Sequence, residues 1–184
     1  MMSNNLYRAF NRIKEKSAFT LGEALVAVLI LLLVTSIVVA GIPAAIRAYN
    51  NVVKASNSEV LLSTSMSALR NELSTAEDIQ VDGTTITYKS AHSKARSKIY
   101  LEVDKENAEI KDIMYKRNAS DDEPAIRLVS KEASDKKMDL HVMYTGIDYT
   151  TGSHTISFTG LQIKDKDGEA TPASVEKYSI RIIS

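Results

Sequence analysis

Apolar residues in this chain of 184 change their spacing twice, and each change predicts a different element. From Ala24 to Ile46, 23 successive residues carry no formal charge. As a helix rising about 1.5 Å per residue they reach roughly 35 Å, enough to cross a bilayer core of about 30 Å. Beyond Arg47 the apolar positions thin to a stripe: Val53, Val60, Met66, Leu69, Leu73 and Ala76, with Leu62 beside it. Ser58, Ser63, Ser65, Ser67 and Asn71 fall outward in this reading. The spacing predicts one nearly continuous helix from about Phe19 to Asp78, with Ser74 or Thr75 as its end zone and its second half packed on a domain. A heptad seam for a coiled-coil partner is the alternative, disfavoured by only about four turns and many serines.

From Ile79 onward the period falls to two. Ile79-Gln80-Val81, then Asp82-Gly83, then Thr84 to Tyr88 predicts a β-hairpin. Further strands are expected at Ile99 to Val103, Glu109 to Lys116, Ala125 to Val129, Leu140 to Tyr144, Thr155 to Ile163 and Val175 to Ile182. Residues 89–98, 118–124 and 131–137 read as polar connections. Alternation implies one buried and one wet face per strand. The fold class is therefore α+β: a long N-terminal helix, half membrane-spanning and half amphipathic, packed on an antiparallel β-sheet. The expected divisions are a basic leader at 1–18, an apolar helix at 19–46, its amphipathic continuation at 47–78 and a globular β domain at 79–184.

Charge sharpens this picture. The formal net charge is zero, yet residues 1–18 hold Arg8, Arg12, Lys14 and Lys16 against Glu15, a net of +3. A basic segment before an apolar run keeps that end cytoplasmic, so the C-terminal part is expected outside. Elsewhere Lys and Arg interleave with Asp and Glu, which gives no basic face for nucleic acid. Cysteine is absent, which excludes disulfides and thiolate metal sites. The apolar run exceeds the 7–15 residues of a secretory signal. A plain anchor fits its length but leaves Glu23, its only charge from Phe19 to Ile46, without a reason.

The junction supplies one. Lys16-Ser17-Ala18-Phe19-Thr20-Leu21-Gly22-Glu23-Ala24-Leu25-Val26 resembles the leader and N-terminus of the type IV pilin and pseudopilin family. The resemblance covers about residues 12–75 and implies cleavage by prepilin peptidase between Ala18 and Phe19, with Phe19 then N-methylated. It makes Glu23 the fifth residue of the product, where the family's carboxylate neutralises the N-terminal amine of a neighbouring subunit during assembly. Two departures stand out: Ala18 replaces the usual Gly, and Gly22 stands where Ile or Val is common. Gly22 weakens the helix start by about 1 kcal/mol relative to Ala. The pairing has a physical basis, since two opposite charges attract strongly in low dielectric while either alone is heavily penalised. Gly41 and Pro43 are candidate helix-break residues near the outer end of the run; a break there lets the helix curve or melt on assembly, or simply marks the membrane edge.

Other chemistry is sparse. His92, His141 and His154 lack ligand-like spacing, and His141, between Leu140 and Val142, is expected to face solvent or pack in a sheet. No nucleophile elbow or Gly-rich phosphate loop occurs, so no enzyme activity is expected. Asp165, Asp167 and Glu169, around Gly168, are candidate Ca²⁺ ligands, as in some pseudopilins, although the twelve-residue loop pattern is missing and a solvated hairpin turn explains them as well. No other cofactor is expected. Asn118-Ala119-Ser120 matches a glycosylation sequon.

The expectation is a filament subunit, minor rather than major, of a type IV pilus or a related type II secretion or competence filament. Its partners would be prepilin peptidase, the membrane and the helices of other subunits. It would be stored as a single-pass inner or cell membrane protein and reach a cell-surface filament on assembly. The alternative is a single-pass anchored extracellular binding domain that never polymerises; an anchored enzyme is a third reading without a catalytic constellation to support it.

Overall fold

The computed structural model describes residues 20–90, 95–105, 107–120, 124–130 and 139–183. The chain divides into two compact units that meet between Asn50 and Asn51. A single helix, α1 (Leu21–Leu73), contributes to both.

In the first unit α1 is apolar and uncovered, every residue from Thr20 to Asn50 being exposed. Among the described residues this is the one helix long and apolar enough to cross a membrane. The helix break expected at Gly41 and Pro43 is not an interruption of α1, which carries Pro43 in its interior. Proline removes one intrahelical hydrogen bond, and the turns on either side keep theirs.

The second unit is α+β. Strands β1 (Glu77–Asp82), β2 (Thr85–Lys89), β3 (Arg96–Val103), β4 (Lys111–Lys116) and β5 (Ile126–Arg127) form an antiparallel sheet in sequence order. Strands β6 (His141–Met143), β7 (Gly146–Thr150), β8 (Thr155–Lys164) and β9 (Ala170–Arg181) form a second antiparallel sheet. In it β6 and β7 line one edge of β8 in succession, and β9 covers the other. Where β6 gives way to β7, Gly160 (φ 61°) brings its backbone against Thr145: a Cβ there would lie 2.4 Å from Thr145 Oγ1.

The core unites helix and sheets through Leu61, Leu69, Leu73, Ile86, Ile99 and Phe158, among others. Buried tyrosines tie the layers with polar tips. Tyr88 donates to Glu72 of α1 at 2.9 Å, and Tyr144 donates to the Thr84 carbonyl at 2.6 Å. Burial pushes both hydroxyl pKa values far up, with the Glu72 charge adding to the effect at Tyr88.

Several boundaries differ from the expectation. Helix α1 stops at Leu73 rather than near Asp78, and β1 starts at Glu77. Ser58 and Ser65, expected outward, are fully buried, while Val60 is 57% exposed and Leu61 takes its place inside. The serines fit because their hydroxyls donate to the carbonyls of Lys54 and Leu61 one turn back, each at 2.7 Å. Two sheets stand in place of one, and β7 lies between the strands expected at Leu140–Tyr144 and Thr155–Ile163, where no element was expected. The strand around residues 125–129 shrinks to Ile126–Arg127. Strand β9 begins at Ala170, five residues before the expected start, because the turn at residues 165–169 closes a tight β8–β9 hairpin. Of the polar connections, residues 91–94, 121–123 and 131–138, and with them His92, lie outside the described residues.

Candidate functional site

The cleavage residues Ala18 and Phe19 lie outside the described residues. Glu23 lies in the first turn of α1. Its carboxylate accepts hydrogen bonds from the backbone N–H and hydroxyl of Thr20, both at 3.0 Å, while its own N–H donates to Thr20 Oγ1 at 3.2 Å. Thr20-Leu21-Gly22-Glu23 is thus a capping box, each residue satisfying the other's orphan backbone donor. A negative charge at this end also complements the helix dipole. The motif was present in the sequence as Thr three residues before Glu, and the reading of Glu23 as an assembly residue passed over it.

The three calcium candidates are not brought together. Asp165 is buried, and its carboxylate pairs with the Lys54 ammonium from α1. Its other oxygen accepts from the Asp167 N–H at 3.0 Å and the Glu169 N–H at 2.9 Å. Burial pushes the Asp165 carboxyl up, but Lys54 and these two N–H groups outweigh it and hold it below the usual carboxylate range. Asp167 turns outward to Lys166 at 3.1 Å, and Glu169 is exposed. Gly168 (φ 81°) makes the reversal, its N–H donating to the Asp165 carbonyl at 2.9 Å. The turn is thereby held to the helix by a lysine in the place where a metal cation would pair. Among the described residues no group of three or more His, Asp or Glu side chains is placed to hold a metal ion.

A polar cluster that sequence reading missed lies where β4, β5 and β6 meet. Asp112 takes Arg127 on one side, and on the other His141 Nδ1, which lies 3.1 and 3.2 Å from its two oxygens. His141 Nε2 is 3.6 Å from Asp139, whose backbone is left-handed at φ 40°. His141 is 3% exposed, so it packs in the sheet, fixed between two carboxylates. No spacing in the sequence links residues 112, 127, 139 and 141; register alone does. The cluster ties β4, β5 and β6 together at the junction of the two sheets. His154 is elsewhere, exposed at the start of β8 with φ 47°. Asn118 sits in an Asx turn, its side-chain oxygen accepting from the N–H and hydroxyl of Ser120. No family model, curated protein or solved structure matches this chain.

Proposed function

We propose that this chain is a pilin-like filament subunit. Prepilin peptidase cleaves it between Ala18 and Phe19, the new N-terminus is methylated, and α1 holds it in the membrane until it enters a filament. The filament is a type IV pilus or a related secretion or competence pseudopilus, and the chain's size and irregular sheet region fit a minor subunit. The observation that carries the reading is the placement of Glu23. It is the only charge in the apolar stretch, it is the fifth residue after the junction, and it sits in the first turn of a helix that is bare and apolar as far as Ile46. From Asn51 the same helix supplies the spine of the globular unit. A bare apolar helix that continues into a folded unit is what a subunit needs to be stored in lipid and then to pack sideways against other helices.

A second reading, an anchored extracellular binding domain that does not polymerise, is favoured by one observation. The capping box gives Glu23 a local role that needs no partner chain. Mass spectrometry of the N-terminal peptide of the membrane-associated protein separates the two. A peptide beginning at Phe19 with an added methyl group is expected; one beginning at Met1 or Met2 overturns the subunit reading.

A further inference from the structure

Register gathers like charges on the outer face of the five-stranded sheet, the face turned away from α1. Lys98 stands directly opposite Lys116, and Lys89 opposite Arg96. Like charges in directly opposed positions destabilise an antiparallel pair. Arg96 is offset by Asp78 at 3.1 Å, and Glu77 stands opposite Lys89 across the β1–β2 pair. Among the described residues neither the Lys98 nor the Lys116 ammonium meets a carboxylate, and Lys98 lies instead 4.9 Å above the centre of the Tyr100 ring.

The other end of the same face has the opposite sign. Glu102 stands opposite Asp112, another like-charged pair. Beside them opens a cleft of about 500 Å³ whose walls carry Glu102, Asp104, Asp112 and Asp139 against Lys105 and Arg127. Arg127 and Asp112 are paired and drop out of the balance together, which leaves Glu102, Asp104 and Asp139 against Lys105. Glu102 is exposed and pairs with no cation among the described residues. Lys98 and Glu102 are four residues apart on β3, about 13 Å along a strand. That exceeds the screening length of roughly 8 Å at physiological salt, so the two ends do not cancel one another.

We propose that this face is a contact between copies of this chain, joined head to tail: Lys98 and Lys116 of one copy enter the acidic cleft at Glu102 of the next. A face that is cationic at one end and carries an anionic cleft at the other can meet its copy as a closed two-fold pair or, displaced, as a row, and the row is the arrangement a filament uses. The inference deepens the subunit reading and rests on it for the crowding of copies in one membrane and for the use of a row.

The absence of cysteine makes a clean test. Thr87→Cys lies in the lysine row and Met114→Cys in the cleft wall on the same face, and both leave every charge in place. The two positions are two strands and two residues apart, about 12 Å within one chain, too far for an internal bridge. The full-length double variant, oxidised gently in membranes, is expected to give a ladder of dimers, trimers and higher species. Mixed single variants are expected to stop at the mixed dimer. Adding Lys98→Glu and Lys116→Glu, or raising salt to 0.5 M on the unreversed chain, is expected to lower the ladder at least about tenfold. No ladder, self-crosslinking of either single variant as strong as the mixed product, or a ladder indifferent to charge and salt overturns the proposal. The N-terminal peptide read from the same membranes separates the two claims. Chains that begin at Phe19 yet give no ladder sink this contact alone; a ladder from chains that begin at Met1 or Met2 sinks the subunit reading alone.

Discussion

Lys54→Met isolates the electrostatic tie between helix and turn. The Asp165 side chain is only 7% exposed, while Lys54 is 32% exposed. Removing the ammonium leaves a buried carboxylate supported by two backbone N–H groups. Breaking a buried pair from one side costs about 3–5 kcal/mol. The exposure of Lys54 and the surviving N–H bonds put this case nearer 2–3 kcal/mol. Asp165→Asn keeps the shape and loses only the charge, so about 1–2 kcal/mol is expected. The double variant should cost less than the sum, because each single change has already broken the pair. For a unit of this size, 2–3 kcal/mol lowers the melting temperature by roughly 6–12 °C. The melt is read on the full chain in detergent by the near-ultraviolet circular dichroism of its tyrosines, since it has no tryptophan.

The pH dependence has a defined sign. Asp165 has a depressed folded pKa, so its contribution is present above the unfolded value of about 3.9 and is lost as pH falls through the folded one. With Lys54 gone the carboxyl loses its strongest lowering influence and moves up, so Asp165 contributes less of the acid loss of stability in the variant than in the wild type. Calcium or a chelator should leave the wild-type melt unchanged, since an ammonium already compensates the carboxylate. A Lys54→Met melt within about 2 °C of wild type, or a calcium-dependent wild-type melt, would refute the reasoning.

Three further predictions address other elements. Glu23→Ala should leave export intact and abolish filament incorporation, whereas Thr20→Ala should cost about 1 kcal/mol of cap and still permit it; immunoblotting sheared filaments reads both. Leu69→Ala, at a fully buried core position, should cost about 2–5 kcal/mol in the same dichroism melt. Gly160→Ala forces a Cβ to within 2.4 Å of Thr145 Oγ1 at a φ of 61°; it should cost about 2 kcal/mol, and Thr145→Ala should restore part of the loss.

How much of this was legible in the chain depended on what each element answers to. The helix declared itself because 23 uncharged residues have few other fates. The strands at Ile99 and Thr155 showed because alternation is a property of one segment. The buried face of α1 misled: Val53, Val60 and Met66 lie at plausible steps, but close packing against the sheets selects Ser58, Leu61, Leu62 and Ser65, where small side chains satisfy their own hydroxyls. Strand β7 was missed because Gly146 and Asp148 disguise the alternation of Ile147 with Tyr149. The Asp112–His141 pair and the opposed lysines exist only through strand register, which no local pattern encodes. The capping box was local and readable, but Glu23 had already been given a different reason.

The segment after β9 is joined to the end of α1. The Ile183 N–H donates to the Ser74 carbonyl at 2.8 Å, and Ile180 and Ile182 share the core with Leu69 and Leu73. Every strand pair links sequence neighbours or the two flanks of β8, so the hairpins can form as the chain emerges. The helix cannot finish its packing that way, because part of the surface it packs against, at β9, is made long after it. A ribosome that has released Leu73 still has more than a hundred residues to deliver before that face is covered. During that interval the stem is a sticky, half-dressed helix, and a nonsense codon anywhere before Ile180 would leave it so for good.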